Sequence, residues 1–581
     1  MTATPNETVN VAARLGRMAE AMPDAVAVAE PRAYDAAGKR QYGRITFREL
    51  DRDSDRIARG LRELGVRPGT RLALLVRPGI DFISLVFGLF KSGAVSILID
   101  PGMGRRNLVR CLAEAEPEGF VAIPMVHAVR VLLRRRFPKA RLHVTVGRRW
   151  FWGGATLDGL RGGPWSGPEL AATRADDPAA IIFTTGSTGP PKGVLYTHGN
   201  FDAQVDQIRD FYGIKPGEVD LPGFPLFGLF NCAMGVTAVI PDMDPSRPAR
   251  VDPHKILEAA ADWSVTQTFG SPAIWNVVGR YCREHGLRMA TVRRVLSAGA
   301  PVPAEVLARM KECISPDGEV HTPYGATEAL PVSSIAAGEV LAETAQRTAR
   351  GEGVCVGRKF PEIEWRVVRI VEGPIASLDR AEPLPSGEIG ELIVTGPVVT
   401  REYVEKKGSE LFFRPTRSEF HSGRSEKRVL TPFSAKIPDG ERIWHRMGDS
   451  GYLDQQDRFW YCGRVAHRVL TAEGPMYPVC CEAIFNRHPD VFRSALVGIG
   501  APGAQRPVVV VEPMPERFPR TTLAHDQLVA ELADSARSHP LTESIRTFLV
   551  KKSFPVDVRH NAKISRERLA VWAARRLGAG R

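Results

Sequence analysis

The stretch "AAIIFTTGSTGPPKGVLYT", residues 179–197, sets an apolar run of strand length against a loop of glycines, hydroxyls and prolines with one lysine. After the loop, "VLYTHGNFDAQVDQIRDFYG" reads as a short strand followed by a helix. Glycines let a backbone approach an anion closely and turn its amide hydrogens inward. Thr184, Thr185, Ser187 and Thr188 add hydroxyl donors between Gly186 and Gly189, and Lys192 adds a point charge able to reach phosphate oxygens. The loop therefore suits a polyphosphate. It is not a Walker A loop, because G-x-x-x-x-G-K-[ST] is absent. A plain Ser/Thr/Gly connector has the same composition, so the loop by itself leaves both readings open.

Outward from the loop, strands and helices alternate. "FRELDRDSDRIARGLRELGV" places Leu50, Ile57, Leu61 and Leu64 at helical spacing with charges between them. Strand "RLALLV", helix "DFISLVFGLFKSG", strand "AVSILID", helix "RRNLVRCLAEAEP" and strand "GFVAIP" follow. The rhythm returns in "VTQTFGSP", "AIWNVVGRYCREHG" and "VRRVLSAGAP". This is the βαβ pattern of parallel sheet covered by helices, so the fold class is α/β. After Gly357 the runs "EIEWRVVRIV", "GEIGELIVTG" and "GYLDQQDRFWYCGRV" read as a β-rich subdomain, about 358–463. Within it, the polar and basic Val404–Ile443 insertion has weak periodicity and reads as a loop excursion. Beyond Arg464 the pattern is mixed again. The expected division is a large domain over residues 1–463 and a small α+β C-terminal domain over 464–581.

A chain of 581 residues is too long for one compact core. Its net charge of +12 comes from scattered positive residues without a nucleic-acid-binding motif, so no nucleic-acid partner is expected. The basic run Val129–His143 has two readings: a solvated face of a domain helix, or a helix making weak membrane-surface contact. The eight cysteines show no C-x-x-C and read as reduced thiols. Residues 1–26 contain no apolar run suited to a signal peptide, and Lys91, Ser92 and Gly93 interrupt the most apolar segment. A cytoplasmic location is expected by elimination.

Four further segments carry chemistry: "SAGAP" at Ser297–Pro301, "TPYGATE" at Thr322–Glu328, "HRMGDSGYLDQQDRFWYCGR" at His445–Arg464, and "RHNAKISRERL" around Lys563. A tyrosine face such as that of Tyr324 stacks on a purine, and an ionised carboxylate such as that of Asp449 accepts two hydroxyls at once. Glu328 offers a hard oxygen for Mg²⁺. With "FTTGSTGPPKG", these segments resemble, in order and over nearly the whole chain, the signature motifs of the ANL superfamily of adenylate-forming enzymes. The resemblance implies that fold, with a mobile C-terminal domain, and ATP and Mg²⁺ as cofactors. It places Thr184–Gly189, Lys192, Gly299, Ala300, Pro301, Tyr324, Gly325, Thr327, Asp449 and Arg464 at the nucleotide. It puts Glu328 and Thr184 at the metal, and makes Lys563, with Glu328 and Thr184, catalytic.

Departures from the superfamily narrow the reading. "LPGFPLFGLFNCAMG" lacks the histidine that many acyl-CoA synthetases carry there, Ala466 follows the hinge Gly-Arg, and "TAEGPMYPVCCEAIF" replaces the run that admits pantetheine. CoA is therefore not expected. These stretches, with "VIPDMDPSRPA" and "FPVDVRHNAKISRE", resemble the olefin-pathway β-lactone synthetases, the OleC group. That resemblance implies a long-chain 2-alkyl-3-hydroxy acid whose own β-hydroxyl closes a lactone after adenylation, and partner enzymes of an olefin pathway. Phe224, Phe227, Phe230, Met234 and Trp275 are the expected alkyl-pocket residues, with plain core packing as the competing reading. Two other functions stay open: a long-chain acyl-AMP or acyl-CoA ligase, and a non-catalytic nucleotide- or lipid-binding homologue. Lys192, Glu328, Asp449 and Lys563 together argue against the last.

Overall fold

The computed structural model describes residues 8–184, 191–224, 226–404, 435–556 and 564–578. The expected alternation is present. Leu50, Ile57 and Leu61 form the buried face of the helix Phe47–Glu63, which starts in a capping box between Thr46 and Glu49. The next helix, Ile80–Lys91, is buried along every residue from Phe82 to Lys91. Its terminal Lys91 is buried but paired, with Asp51 and Asp55 each 2.6 Å from its side-chain nitrogen.

Among the described residues, one sheet runs in the order Glu402–Tyr403, Lys192–Thr197, Pro178–Thr184, Val95–Ile99, Arg71–Leu75, Gly119–Ala122, Leu142–Thr145, Ala155–Thr156. From Pro178–Thr184 onward its neighbours are parallel, as helical crossovers require. Lys192–Thr197 turns back antiparallel, with Thr184 opposite Lys192. The opening motif therefore bridges two strand ends, and the helix His198–Tyr212 follows from a capping box of Thr197 and Asn200.

The larger sheet is parallel through Thr237–Val239, Val219–Pro222, Gln267–Gly270, Arg294–Ser297 and Glu319–Ala326. It continues antiparallel through Ala329–Ala336, Val354–Lys359, Arg458–Arg464, Arg442–Leu453, Gly390–Thr395 and Glu364–Val368. Apart from Glu402–Tyr403, which joins the other sheet, the strands of 358–463 thus extend the large sheet rather than form one of their own. Each new strand pairs the open N–H and C=O groups of the edge before it.

Two expectations are corrected here. The Val404–Ile443 insertion is not irregular throughout: Lys436–Asp439 pairs with Arg442–Leu453 in a hairpin turning at Gly440. Asp439-Gly440 is a strong hairpin signal that the surrounding polarity concealed. Residues 405–434 lie outside the described residues. The basic Val129–His143 run is not one helix either. It is divided among the end of helix Pro124–Leu132, the 3-10 turn Arg134–Arg136 and the strand Leu142–Thr145. Phe137 is buried in the core, so the run does not continue as a helix past Arg136.

After Arg464 the chain leaves the large sheet through the turn Val465–His467. A separate small sheet, Val491–Ile499, Arg506–Pro513 and Thr547–Val550, is covered by the helices Pro478–Phe485, Thr522–Arg537 and Arg566–Arg576. It has apolar clusters of its own, centred on Leu496 and Val510. The architecture is a large sheet-and-helix N-terminal domain with a separate small C-terminal one. All eight cysteines are buried. Among the described residues no helix is long and apolar enough to cross a membrane.

Candidate functional site

One cleft collects side chains from segments far apart in the chain. Lys192, Gly299, Ala300, Pro301, Tyr324, Gly325, Thr327, Glu328, Asp449 and Arg464 all line it. Gly299, Ala300, Pro301, Thr327 and Glu328 follow the ends of the strands Arg294–Ser297 and Glu319–Ala326, where parallel α/β sheets present their loops, and Asp449 lies within the antiparallel strand Arg442–Leu453.

Tyr324, on the strand Glu319–Ala326, donates its hydroxyl to Asp449 Oδ2 at 2.5 Å. Asp449 sits opposite Arg464 in antiparallel register, and Arg464 Nε lies 3.1 Å from Asp449 Oδ1. Arg464 also donates to the Met447 carbonyl at 2.8 Å. Burial, with the Asp449 carboxylate beside it, pushes the Tyr324 phenol well above its usual value. The Asp449 charge in turn raises the Arg464 guanidinium. The result is a locked tyrosine–carboxylate–arginine group.

The turn carrying Thr327 and Glu328 is held from several sides. Gly325 packs so closely that a Cβ there would lie 2.6 Å from the Ala329 carbonyl oxygen, so only glycine fits without displacing backbone. Tyr196 donates to the Thr327 carbonyl at 2.5 Å, and Gln204 to that of Leu330 at 2.7 Å. Thr400 donates its backbone N–H (2.9 Å) and its hydroxyl (3.1 Å) to the Glu328 carbonyl. Tyr403 donates its hydroxyl to the Glu328 carboxylate at 3.2 Å.

Tyr403 is the centre of a group that motif reading missed. Lys192 Nζ lies 5.4 Å and Lys436 Nζ 5.6 Å from its ring centroid. Lys436 also donates to the Thr400 carbonyl. Burial lowers Lys436 to about 7, and the Glu328 charge opposes that shift. Burial, reinforced by Lys436, drives the His445 imidazole well below its usual range. Tyr403 had a findable signal, an aromatic closing an apolar-to-polar edge strand. Lys436 had none beyond the Asp439-Gly440 turn that places it.

The apolar arm of the cleft is a ladder of rings. Phe227 stacks on Phe269 with centroids 3.7 Å apart, and Phe224 and Phe230 flank it at 6.3 and 5.8 Å. Phe224, Phe227 and Phe230 line the cleft as expected, but Met234 and Trp275 do not. Met234 is 4% exposed within the main core. Trp275 points with Val278 and Cys282 into the other core, where its ring lies against Gly270. The helical spacing of Trp275 marked a buried face, and that face is turned away from the cleft.

Thr185, Gly186, Ser187, Thr188, Gly189 and Lys563 lie outside the described residues, and only the backbone of Thr184 is described. The neighbours of Lys563 are placed: Ile564 pairs with Val556, and Ile564 and Arg566 line the cleft. Arg566 is anchored on Glu482 at 2.8 Å. Among the described residues no group of three or more His, Cys, Asp or Glu side chains is arranged to hold a metal ion.

Residues 15–404 match the family described as AMP-binding enzyme. The chain is 44% identical over 568 residues to the olefin beta-lactone synthetase of Xanthomonas campestris pv. campestris, covering 97% of each chain. It is 44% identical over 580 residues to the protein of the same name from Stenotrophomonas maltophilia, covering 98% of this chain and 99% of that one. The chain belongs to the AMP-binding enzyme family, in the group of the olefin beta-lactone synthetases. The fold agrees with the solved amide bond synthetase McbA of Marinactinospora thermotolerans, at a TM-score of 0.73 and 21% identity over 97% of this chain and 99% of that one. Family membership accounts for the spacing of the cleft-lining motifs. It leaves open what Tyr403 and Lys436 do.

Proposed function

We propose that this protein adenylates the carboxylate of a long-chain 2-alkyl-3-hydroxy fatty acid with ATP and then closes the acyl-adenylate to a β-lactone, releasing AMP. One observation carries the reading: the locked Tyr324–Asp449–Arg464 group and the Lys192–Tyr403–Glu328 group share a single cleft with an apolar ladder of rings. Near-full-length similarity to proteins named olefin beta-lactone synthetase supports the lactone product.

In this reading Asp449 accepts the two ribose hydroxyls, Tyr324 stacks on adenine beside Gly299, Ala300 and Pro301, and Arg464 reaches the nucleotide. The 184–189 loop, Lys192 and Thr327 take the phosphates. A carboxylate oxygen of the acid attacks the α-phosphorus in line, and pyrophosphate leaves. Lys563 stabilises the charge that builds on the carboxylate and α-phosphate oxygens. A single carboxylate fits Mg²⁺, which keeps waters and shares phosphate oxygens, so Glu328 and Thr184 would hold it. The ion would supply charge cancellation on the polyphosphate. The acid's own 3-hydroxyl oxygen then attacks the activated carbonyl and loses its proton, and AMP departs. High effective molarity offsets part of the ring strain. Phe224, Phe227 and Phe230 wall one alkyl chain. We place the domain boundary between Gly463 and Arg464, with Lys563 carried by the small domain. The product is a substrate for a decarboxylating partner, and CoA has no role.

The test is incubation with ATP, Mg²⁺ and racemic 2-alkyl-3-hydroxy acid, with and without CoA, followed by analysis of the organic products. Lactone formed without CoA is the expected result. A thioester formed only with CoA assigns acyl-CoA ligation instead. No AMP or pyrophosphate makes the protein a binding homologue.

A further inference from the structure

The strand Lys436–Asp439 belongs to none of the motifs, yet its pairing with Arg442–Leu453 brings an amino group into the cleft beside Glu328. We propose that Lys436 is a further phosphate-side residue of the adenylation step, a second cation that, like Lys192, lies over the Tyr403 ring and engages the polyphosphate of ATP. The proposal rests on the adenylation reading above.

Three observations carry it. The first is position: Lys192 and Lys436 lie 5.4 and 5.6 Å from the same ring centroid, and the hydroxyl of that ring holds the Glu328 carboxylate at 3.2 Å. The two cations therefore belong to the Glu328 end of the cleft, and the aromatic ladder around Phe227 comprises a different set of residues. The second is anchoring. Lys436 donates to the Thr400 carbonyl, and Thr400 in turn donates its N–H and hydroxyl to the Glu328 carbonyl. Strand pairing of Lys436 with His445 fixes the backbone behind it. A lysine held at its base by a sheet and at its tip by a carbonyl is preorganised, so it loses little entropy on meeting a ligand. The third is charge. Lys192 and Lys436 both lie over the Tyr403 ring beside the Glu328 carboxylate, and an incoming polyanion favours the protonated form of each.

A surface lysine serving only to pack the hairpin would not sit within the same cluster as the motif lysine. A base for the 3-hydroxyl proton would be placed to act on the second step. The two steps can be separated, because a 2-alkyl acid lacking the 3-hydroxyl can be adenylated but cannot close a ring. The experiment uses the full-length wild type, Lys436→Met, Lys436→Arg, Lys192→Met and the double methionine variant. The first readout is pyrophosphate–ATP exchange with the hydroxyl-free acid, giving the KM for ATP and the exchange rate. The second is lactone formed per AMP released with the hydroxy acid.

The expected result is a fall in exchange efficiency of about 10-fold or more in Lys436→Met, mostly through the KM for ATP, with partial recovery in Lys436→Arg. Lactone per AMP stays at the wild-type value. The double variant loses less than the product of the single losses, since both lysines serve one polyanion. Exchange within about twofold of wild type in a folded Lys436→Met, or a drop in lactone per AMP, overturns the proposal. If the methionine variant does not fold, Lys436→Arg decides alone. Its charge persists while its geometry changes, so an unaltered KM for ATP there also overturns the proposal. Absence of exchange in the wild type overturns the adenylation reading and this inference together, which separates the two failures.

Discussion

At one end of the cleft Asp449, 4% exposed, divides its oxygens between a tyrosine hydroxyl at 2.5 Å and an arginine at 3.1 Å. At the other end Lys192 is exposed, and it meets the Tyr403 ring across 5.4 Å rather than through a short ion pair. The Asp449 end is therefore rigid by its own hydrogen bonds, as a site that must recognise a neutral, shape-defined group needs to be. At the Glu328 end the backbone turn is hydrogen-bonded as closely, but the Lys192 charge meets a ring face rather than a short ion pair, which suits a ligand that brings its own multiple charges. Short hydrogen bonds confer geometry. Clustered cations confer attraction, and that attraction depends on the surrounding solution.

The largest expected effect breaks the rigid end. Asp449→Asn removes the charge that holds Arg464 and alters the acceptor for Tyr324, so the KM for ATP rises by about 100-fold. The thermal midpoint also falls, because a buried cation loses its partner. A variant with wild-type stability and KM would show that the Asp449 end is not organised as described. Lys192→Met, at the exposed end, lowers kcat/KM for ATP by about 10-fold and leaves the thermal midpoint unchanged. Measuring both quantities in both variants tests the contrast directly. Tyr403→Phe deletes the 3.2 Å hydrogen bond to Glu328 while keeping the ring that both lysines approach. A loss of about fivefold in the rate of pyrophosphate exchange is expected, with the KM for ATP little changed. A larger rise in KM than fall in rate would mean that the ring, not the hydroxyl, organises this end. The smallest effect comes from salt. Raising ionic strength from about 50 to about 300 mM raises the wild-type KM for ATP by about twofold, and the slope flattens in Lys192→Met but not in Asp449→Asn.

The strands on either side of the opening loop, the Tyr324-to-Glu328 run and the Asp449-to-Arg464 run were legible before any coordinates, since each joins a strand pattern to turn-forming residues within a short window. The βαβ order was legible for the same reason, as period and punctuation are properties of short windows. The Phe224, Phe227 and Phe230 cluster was readable as apolar, but its composition did not distinguish a wall from a core. Met234 and Trp275 look equivalent to it in sequence and are buried elsewhere. The basic 129–143 run looked continuous because charge was counted without the turn that Phe137 and Pro138 impose.

What the sequence determined by itself is the set of elements and the motifs at their ends: a parallel α/β framework, the Tyr324-to-Glu328 turn, the Asp449-to-Arg464 hairpin, and membership among the AMP-binding enzymes. What only the tertiary structure decided is the company those groups keep. Tyr403 reaches Glu328 because the short strand Glu402–Tyr403 pairs with Lys192–Thr197, more than two hundred residues earlier. Lys436 reaches Tyr403 because a hairpin is added to the far sheet. The reason is physical. Side-chain direction along a strand follows from local alternation, but which sheet edge that strand pairs with is set by long-range hydrogen bonding and burial, which no short window contains.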